Sequence, residues 1–214
     1  MTTTRDTLAS LYSQSRLTQS YARLKMRIIP FEEFSEFLPH EGHILDIGCG
    51  YGYTSNYLAL DSDRRQVLGS DIDGKRVAAA QRTTGGRANI RFIETDARQL
   101  DLHHLDGIVM VDVLHHIPPP EHRAVLDDVF AKLKPGGRFV MRETDKKPDL
   151  RYYLFNYALE VLLYPFSERT NFYRSADLQR LLRDVGFVID HVIPPPKYFM
   201  YTTVMFVCRK PAAR

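Results

Sequence analysis

The feature that most constrains this chain is a short apolar run, His43-Ile-Leu-Asp-Ile47, that ends abruptly in Gly48-Cys-Gly-Tyr-Gly52. An apolar run of this length bounded by glycines reads as a buried strand, and three glycines in five positions demand a tight turn whose backbone another group can approach closely. A helix over Thr54–Leu60 follows directly. A buried strand, a glycine turn and a helix form the opening of a βαβ unit. That arrangement commits the chain to a parallel sheet covered by helices.

The same rhythm continues downstream. Residues 66–70 predict a second strand ending at Asp71, and Gly74–Arg82 a second helix. Ile90–Glu94 and Gly107–Val111 predict strands three and four, and Glu121–Leu133 a crossover helix. Lys134-Pro-Gly-Gly137 is expected to stop that helix before a fifth strand, Arg138–Arg142. Ser175–Val185 predicts a helix with Ser175 as N-cap and Gly186 as C-cap. Phe187–Ile193 and Tyr201–Cys208 close the chain as strands, and the connection between them is too short for a crossover helix, so they are expected to pair antiparallel. Before the first strand, residues 8–38 show helical spacing, broken near Pro30. The expected fold is α/β: a Rossmann-like seven-stranded sheet, mostly parallel with an antiparallel last strand, helices on both faces and a helical cap. It is read as one domain of 1–214, with a cap at 1–39, a core at 43–142, an insertion at 145–173 and a terminal helix and strand pair at 175–209.

Composition narrows the function classes. The 214 residues carry 29 Lys plus Arg against 26 Asp plus Glu, a formal net charge of +3, with the basic residues scattered. That balance gives no electrostatic footprint for nucleic acid, so no nucleic-acid partner is expected. Two cysteines, Cys49 and Cys208, cannot build a disulfide scaffold or a Cys-x-x-Cys zinc site. The first residues lack a signal-peptide core, and the longest nearly apolar run, Tyr152–Phe166, is shorter than the about 20 residues a spanning helix needs. A cytoplasmic location is the expectation.

Spacing decides what the glycine turn serves. A nicotinamide or flavin fold expects G-x-G-x-x-G, which would place glycine at 53, but position 53 is Tyr; a P-loop would need Gly-Lys-Ser/Thr. The pattern Asp46-Ile-Gly48-Cys-Gly50-Tyr-Gly52 instead resembles motif I of class I S-adenosylmethionine-dependent methyltransferases of the small-molecule type. The resemblance continues in order through Asp71 in Gly69-Ser-Asp-Ile72-Asp73, Glu94-Thr-Asp96-Ala97, Val111-Asp112-Val-Leu-His115-His116 and Leu133-Lys-Pro-Gly-Gly-Arg-Phe-Val-Met141. It implies S-adenosyl-L-methionine as cofactor. On that resemblance Asp46, Gly48, Gly50, Gly52, Asp71, Ile72, Asp96, Ala97 and Asp112 are the cofactor-binding set. Asp71 would accept hydrogen bonds from the ribose hydroxyls, Asp96 and the Ala97 N–H would meet the adenine, and Asp46, Gly48 and Asp112 would lie near the methionine end. Cys49 is then a small turn residue.

The acceptor is less marked. His116, and next to it His115, are the candidate general bases just past the fourth strand, favoured in that order; each also has a bland reading in which it only packs or caps the loop. His103-His104 sits in a connecting turn and reads as solvated. The tail of strand four lacks the Asn/Asp-Pro-Pro-Tyr/Phe element of amino-methylases, and no metal pattern is evident apart from Glu143 and Asp145, so a metal-free enzyme is expected.

Residues 145–173 hold eight of the chain's 24 aromatics, with an apolar stripe at Leu150, Tyr153, Leu154, Tyr157, Ala158, Val161 and Leu162 and further apolar residues on the other faces. In the family, such inserts commonly form a lid, which implies a small, lipophilic or aromatic acceptor methylated at oxygen or carbon. A homodimer interface and a peripheral membrane contact are the competing readings of the stripe. Arg142, Lys146, Lys147 and Arg151 flank it and would suit an anionic headgroup or a substrate carboxylate. A protein or RNA methyltransferase and a non-catalytic methyltransferase-like partner subunit are the alternative functions.

Overall fold

The structure is a computed structural model, and it describes residues 3–12, 26, 29–146, 171–195 and 202–212. Seven strands form one sheet in the order β3-β2-β1-β4-β5-β7-β6. They are β1 (Gly42–Ile47), β2 (Arg65–Asp71), β3 (Ile90–Glu94), β4 (Leu105–Val111), β5 (Leu133–Thr144), β6 (Val188–Ile193) and β7 (Thr203–Arg209). The chain divides into two compact units, Met1–Val109 and Met110–Arg214, with β4 running through the boundary.

In the first unit, β1 pairs parallel with β2, and β2 with β3. The helices are α1 (Thr4–Leu11), α2 (Phe31–Phe37), α3 (Tyr53–Asp61) and α4 (Gly74–Gln81). Strand β1 ends in four consecutive buried residues, Ile44 to Ile47, the signature of a strand covered on both faces. Helix α1 opens with a capping box, Thr3 and Asp6 each satisfying the other's backbone N–H, and buries Leu8 fully. Helix α4 is capped by Asp73, whose carboxylate accepts from the Lys75 and Arg76 N–H groups.

One structural centre here has no sequence motif. Arg65 is completely buried at the start of β2. Its guanidinium donates to the carbonyls of Ser35, Leu38, Pro39 and Leu58, to the Ser35 hydroxyl and to Asp61. A planar fork of five N–H donors can serve these six acceptors with one hydrogen shared, which an ammonium with three cannot.

In the second unit, β7 runs antiparallel to both β5 and β6, as the short connection implied, with a register irregularity between Ile189 and His191. Its helices are α5 (His122–Lys132) and α6 (Ser175–Val185). Two local expectations change. Lys134-Pro-Gly-Gly137 does not form a separate turn: β5 begins at Leu133, immediately after α5, because the Gly136 N–H and Gly137 carbonyl bond to Lys210 beside β7. Ser175 is the first helical residue and not the N-cap. Arg174 takes the cap position without a side-chain bond, and the Asp145 carboxylate accepts the Ser175 N–H at 2.8 Å. Gly186 is the C-cap as expected. The expected break near Pro30 falls just before α2, but most of residues 13–28 and the apolar stripe of 147–170 lie outside the described residues.

Candidate functional site

The glycine turn leaves the carboxyl end of β1 with Gly48, Gly50 and Gly52 at φ +67, +53 and +80°. These are left-handed conformations that side-chain-bearing residues adopt only with strain. Gly52 also has no room: a Cβ there would lie 2.6 Å from the Phe92 ring. Gly50 is the opposite case, because a Cβ built on it meets nothing within 4 Å. One glycine lets α3 pack down on β3, and the other leaves the backbone open to an incoming group.

Asp71, at the end of β2, holds this turn in shape. It is 8% exposed, and its two oxygens accept from the Gly50 N–H at 2.8 Å and the Asp73 N–H at 2.9 Å. A carboxylate has about four acceptor positions, so two more remain for a ligand. The next residue, Ile72, is 78% exposed, an unusual placement for a large aliphatic side chain. Asp46 lies behind the turn, fully buried, and accepts from the Ser55 hydroxyl. Burial pushes its carboxyl up to about 7, the nearby Asp71 charge adding to that rise and the Ser55 bonds opposing it. Burial likewise drives the Cys49 thiol far above its ordinary range, which suits the expected role of a turn residue and not of a nucleophile.

Asp96 follows β3 and caps the short 3₁₀ turn Ala97–Gln99 by accepting from the Arg98 N–H at 2.9 Å. Its carboxylate also holds the Arg98 guanidinium, at 2.6 Å for the closest contact. Ala97 is buried. All eight of these candidates, Asp46, Gly48, Gly50, Gly52, Asp71, Ile72, Asp96 and Ala97, thus belong to the first unit.

The second unit carries the others. Asp112 sits just past β4 in a left-handed conformation, φ +57°, with its N–H on the Arg142 carbonyl and its carboxylate paired with the Arg142 guanidinium. Arg142 is therefore buried in an ion pair and not part of an exposed basic flank, which corrects that expectation; Lys147 and Arg151 lie outside the described residues. His115 and His116 form another 3₁₀ turn with Leu114. The two differ sharply: His115 is buried at 5% exposure, His116 is exposed.

What secures His115 is Glu143 on β5, a residue the sequence offered only as a weak metal ligand. Glu143 Oε1 accepts from the Val113 and Leu114 N–H groups at 3.0 and 2.7 Å, and Oε2 contacts His115 Nδ1 at 2.6 Å. That pairing places a proton on Nδ1 and makes Nε2 the basic nitrogen of the neutral ring. Only strand register brings positions 113–115 and 143 together, so no local pattern could have found this. Among the described residues, no three His, Cys, Asp or Glu side chains form a metal-binding group, and no helix is long and apolar enough to cross a membrane. His103, in the turn before β4, pairs with exposed Asp101.

Comparison with known proteins agrees with this geometry. A family model described as a methyltransferase domain matches residues 44–137, the stretch from β1 to the start of β5. A carboxy-S-adenosyl-L-methionine synthase of Chromohalobacter salexigens is 34% identical over 112 residues, covering 50% of this chain and 42% of the relative. A ubiquinone biosynthesis O-methyltransferase of Nitrosospira multiformis is 28% identical over 159 residues, covering 70% and 64%. The chain thus spans less than two thirds of the length of either relative. The crystal structure of magnesium protoporphyrin IX methyltransferase from Synechocystis, with S-adenosylhomocysteine bound, shares the fold at a TM-score of 0.69 and 22% identity, over 96% of this chain and 93% of that one. Residues 44–137 thus match the methyltransferase-domain family, and the strand order, the glycine turn and the acidic residue closing the second strand resemble those of class I S-adenosylmethionine-dependent methyltransferases.

Proposed function

We propose that this chain binds S-adenosylmethionine on the glycine turn and transfers its methyl group to a small, lipophilic or aromatic acceptor, at oxygen or carbon. The observation that carries the cofactor assignment is the pairing of an open Gly50 with a buried Asp71 whose remaining acceptor positions suit vicinal hydroxyls. Exposed Ile72 beside it offers apolar surface for a flat heterocycle, and Ala97 and Asp96 supply the next contact along the sheet edge. Gly48 and Gly52 give the turn its shape, and Asp46, behind it in the same unit, is assigned to the methionine end.

When bound, the cofactor supplies an electrophilic methyl group on a sulfonium. The work left to the protein is alignment, worth roughly 7–11 kcal/mol when the attacking atom is held in line. For a hydroxyl acceptor a base adds about 10²–10⁴-fold. His115 suits that task better than His116, because Glu143 fixes its tautomer and orientation, while His116 is an exposed ring lying against His115. The lipophilic acceptor is supported by the aromatic content of residues 145–173 and by the ubiquinone pathway named for one relative.

Calorimetric titration with S-adenosylhomocysteine, with NAD as control, tests the cofactor assignment. Micromolar binding of the first and none of the second is expected. Binding of NAD, or no binding of S-adenosylhomocysteine, would overturn it.

A further inference from the structure

Helix α1 is tied down at both ends, and one tie is made to the glycine turn itself. Tyr12, its C-cap residue, is 8% exposed. Its hydroxyl donates to the Tyr51 carbonyl at 2.9 Å and accepts from Asn56 Nδ2 at 3.0 Å. The same Asn56 amide donates to the Gly52 carbonyl at 2.8 Å and to the Thr83 hydroxyl at 2.8 Å, and the Arg87 guanidinium holds its oxygen. The Tyr12 ring lies 4.3 Å from that of Tyr53, the first residue of α3. Two consecutive carbonyls of the cofactor turn, Tyr51 and Gly52, are therefore held by one buried polar network that reaches the N-terminal helix. At the other end of α1, Arg5 pairs with Glu32 and bonds the Ile29 carbonyl at 3.3 Å, next to α2.

An eight-residue helix is too short to persist in water by itself, so α1 is ordered by these ties and by the burial of Leu8. Whatever rigidifies the turn must then favour docking of the helix, and docking of the helix must favour the turn by the same factor. We propose that α1 is a strap whose docking is coupled to cofactor binding, with Tyr12 as the positioning residue that latches it to the turn. The coupling rests on the cofactor reading above. Burial keeps the Tyr12 phenol protonated far beyond neutral pH, so the donor is present under all ordinary conditions. The Phe variant retains the ring packing and removes only the hydroxyl, leaving the Tyr51 carbonyl without its donor and the Asn56 amide without its link to α1.

The test is S-adenosylhomocysteine titration of the unaltered chain, Tyr12→Phe and Arg5→Ala, with amide hydrogen exchange of residues 4–12 followed with and without the ligand. In the unaltered chain the ligand should slow exchange across 4–12. In Tyr12→Phe, affinity should fall about tenfold and the ligand-dependent slowing should vanish. Arg5→Ala, which does not touch the turn, should still weaken affinity several-fold, and it carries the test should Tyr12→Phe fold poorly. Unchanged affinity in both variants, or lost affinity with the slowing intact, would overturn the coupling. No binding by the unaltered chain would overturn the cofactor reading and the coupling with it.

Discussion

Two loops in this protein are each organised by one buried carboxylate, and they were not equally visible. Asp71 shapes the glycine turn by accepting from Gly50 and Asp73; Glu143 shapes the loop after β4 by accepting from Val113 and Leu114 and orienting His115. In both, an acid near the end of one strand accepts from the backbone of a loop that follows another, and Asp71 also accepts from Asp73 in the loop after its own strand. The difference lies in what remains after that. Asp71 uses two acceptor positions and faces an open glycine, whereas Glu143 spends three bonds on protein groups. The first loop leaves backbone and acceptor positions open, and the second holds a side chain still.

The largest effect should come from the turn itself. Gly52→Ala places a Cβ 2.6 Å from Phe92 in a left-handed conformation, so about 2–4 kcal/mol of stability should be lost together with cofactor binding. Urea unfolding measures the first and calorimetry the second; a variant of full stability would break the packing half of the comparison.

A pH series probes the acid behind the turn. The Asp46 carboxyl titrates near 7 in the folded chain against 3.8 as a free residue, so between those values the folded state holds a proton that the unfolded state has released. Its contribution to stability is complete below about pH 4 and is lost as pH rises through about 7, a change of a few kcal/mol at most. Asp46→Asn should flatten that part of the stability–pH curve. A slope unchanged in the variant would assign it to other groups.

Asp71→Ala should weaken S-adenosylhomocysteine binding tenfold to several-hundredfold, because the ribose hydroxyls and the Gly50 N–H lose one acceptor together. Unchanged affinity would sink the ribose assignment and leave Asp71 a purely architectural residue like Glu143.

Glu143→Gln sharpens the other side. The amide preserves one acceptor for Val113 and Leu114 but presents a donor or a neutral oxygen to His115, so stability should fall by about 1–3 kcal/mol with cofactor affinity unaltered. If His115 is the base, turnover should fall and its pH profile shift in the same variant. Smallest of all, His116→Ala removes an exposed ring and should change stability by no more than about 0.5 kcal/mol and leave turnover intact. A large loss of turnover would restore His116 as the base.

The alternation of strands and helices, the glycine turn and Asp71 were legible because each is local: apolar periodicity, three glycines in five residues and an acid at a strand end need no knowledge of the rest of the chain. β3 matches its expected span residue for residue, and the antiparallel β6–β7 pair followed from a connection too short for a helix. The cap of α6 and the start of β5 were misplaced because their partners, Asp145 and Lys210, are distant in sequence. The apolar stripe of 147–170 lies outside the described residues and stays a reading of sequence alone.

By itself, then, the sequence determined the layer architecture, the likeness to a methyltransferase domain and the glycine turn, since backbone geometry and hydrophobic period are properties of short segments. Only the tertiary structure decided which acid holds which loop. Arg142 turned from a basic flank into the partner of Asp112, Glu143 from a stray acid into the support of His115, and Tyr12 from one more helical aromatic into a bridge to the glycine turn. A buried polar group must find its partner wherever the fold places one, and that pairing is set by strand register and helix docking, not by spacing along the chain.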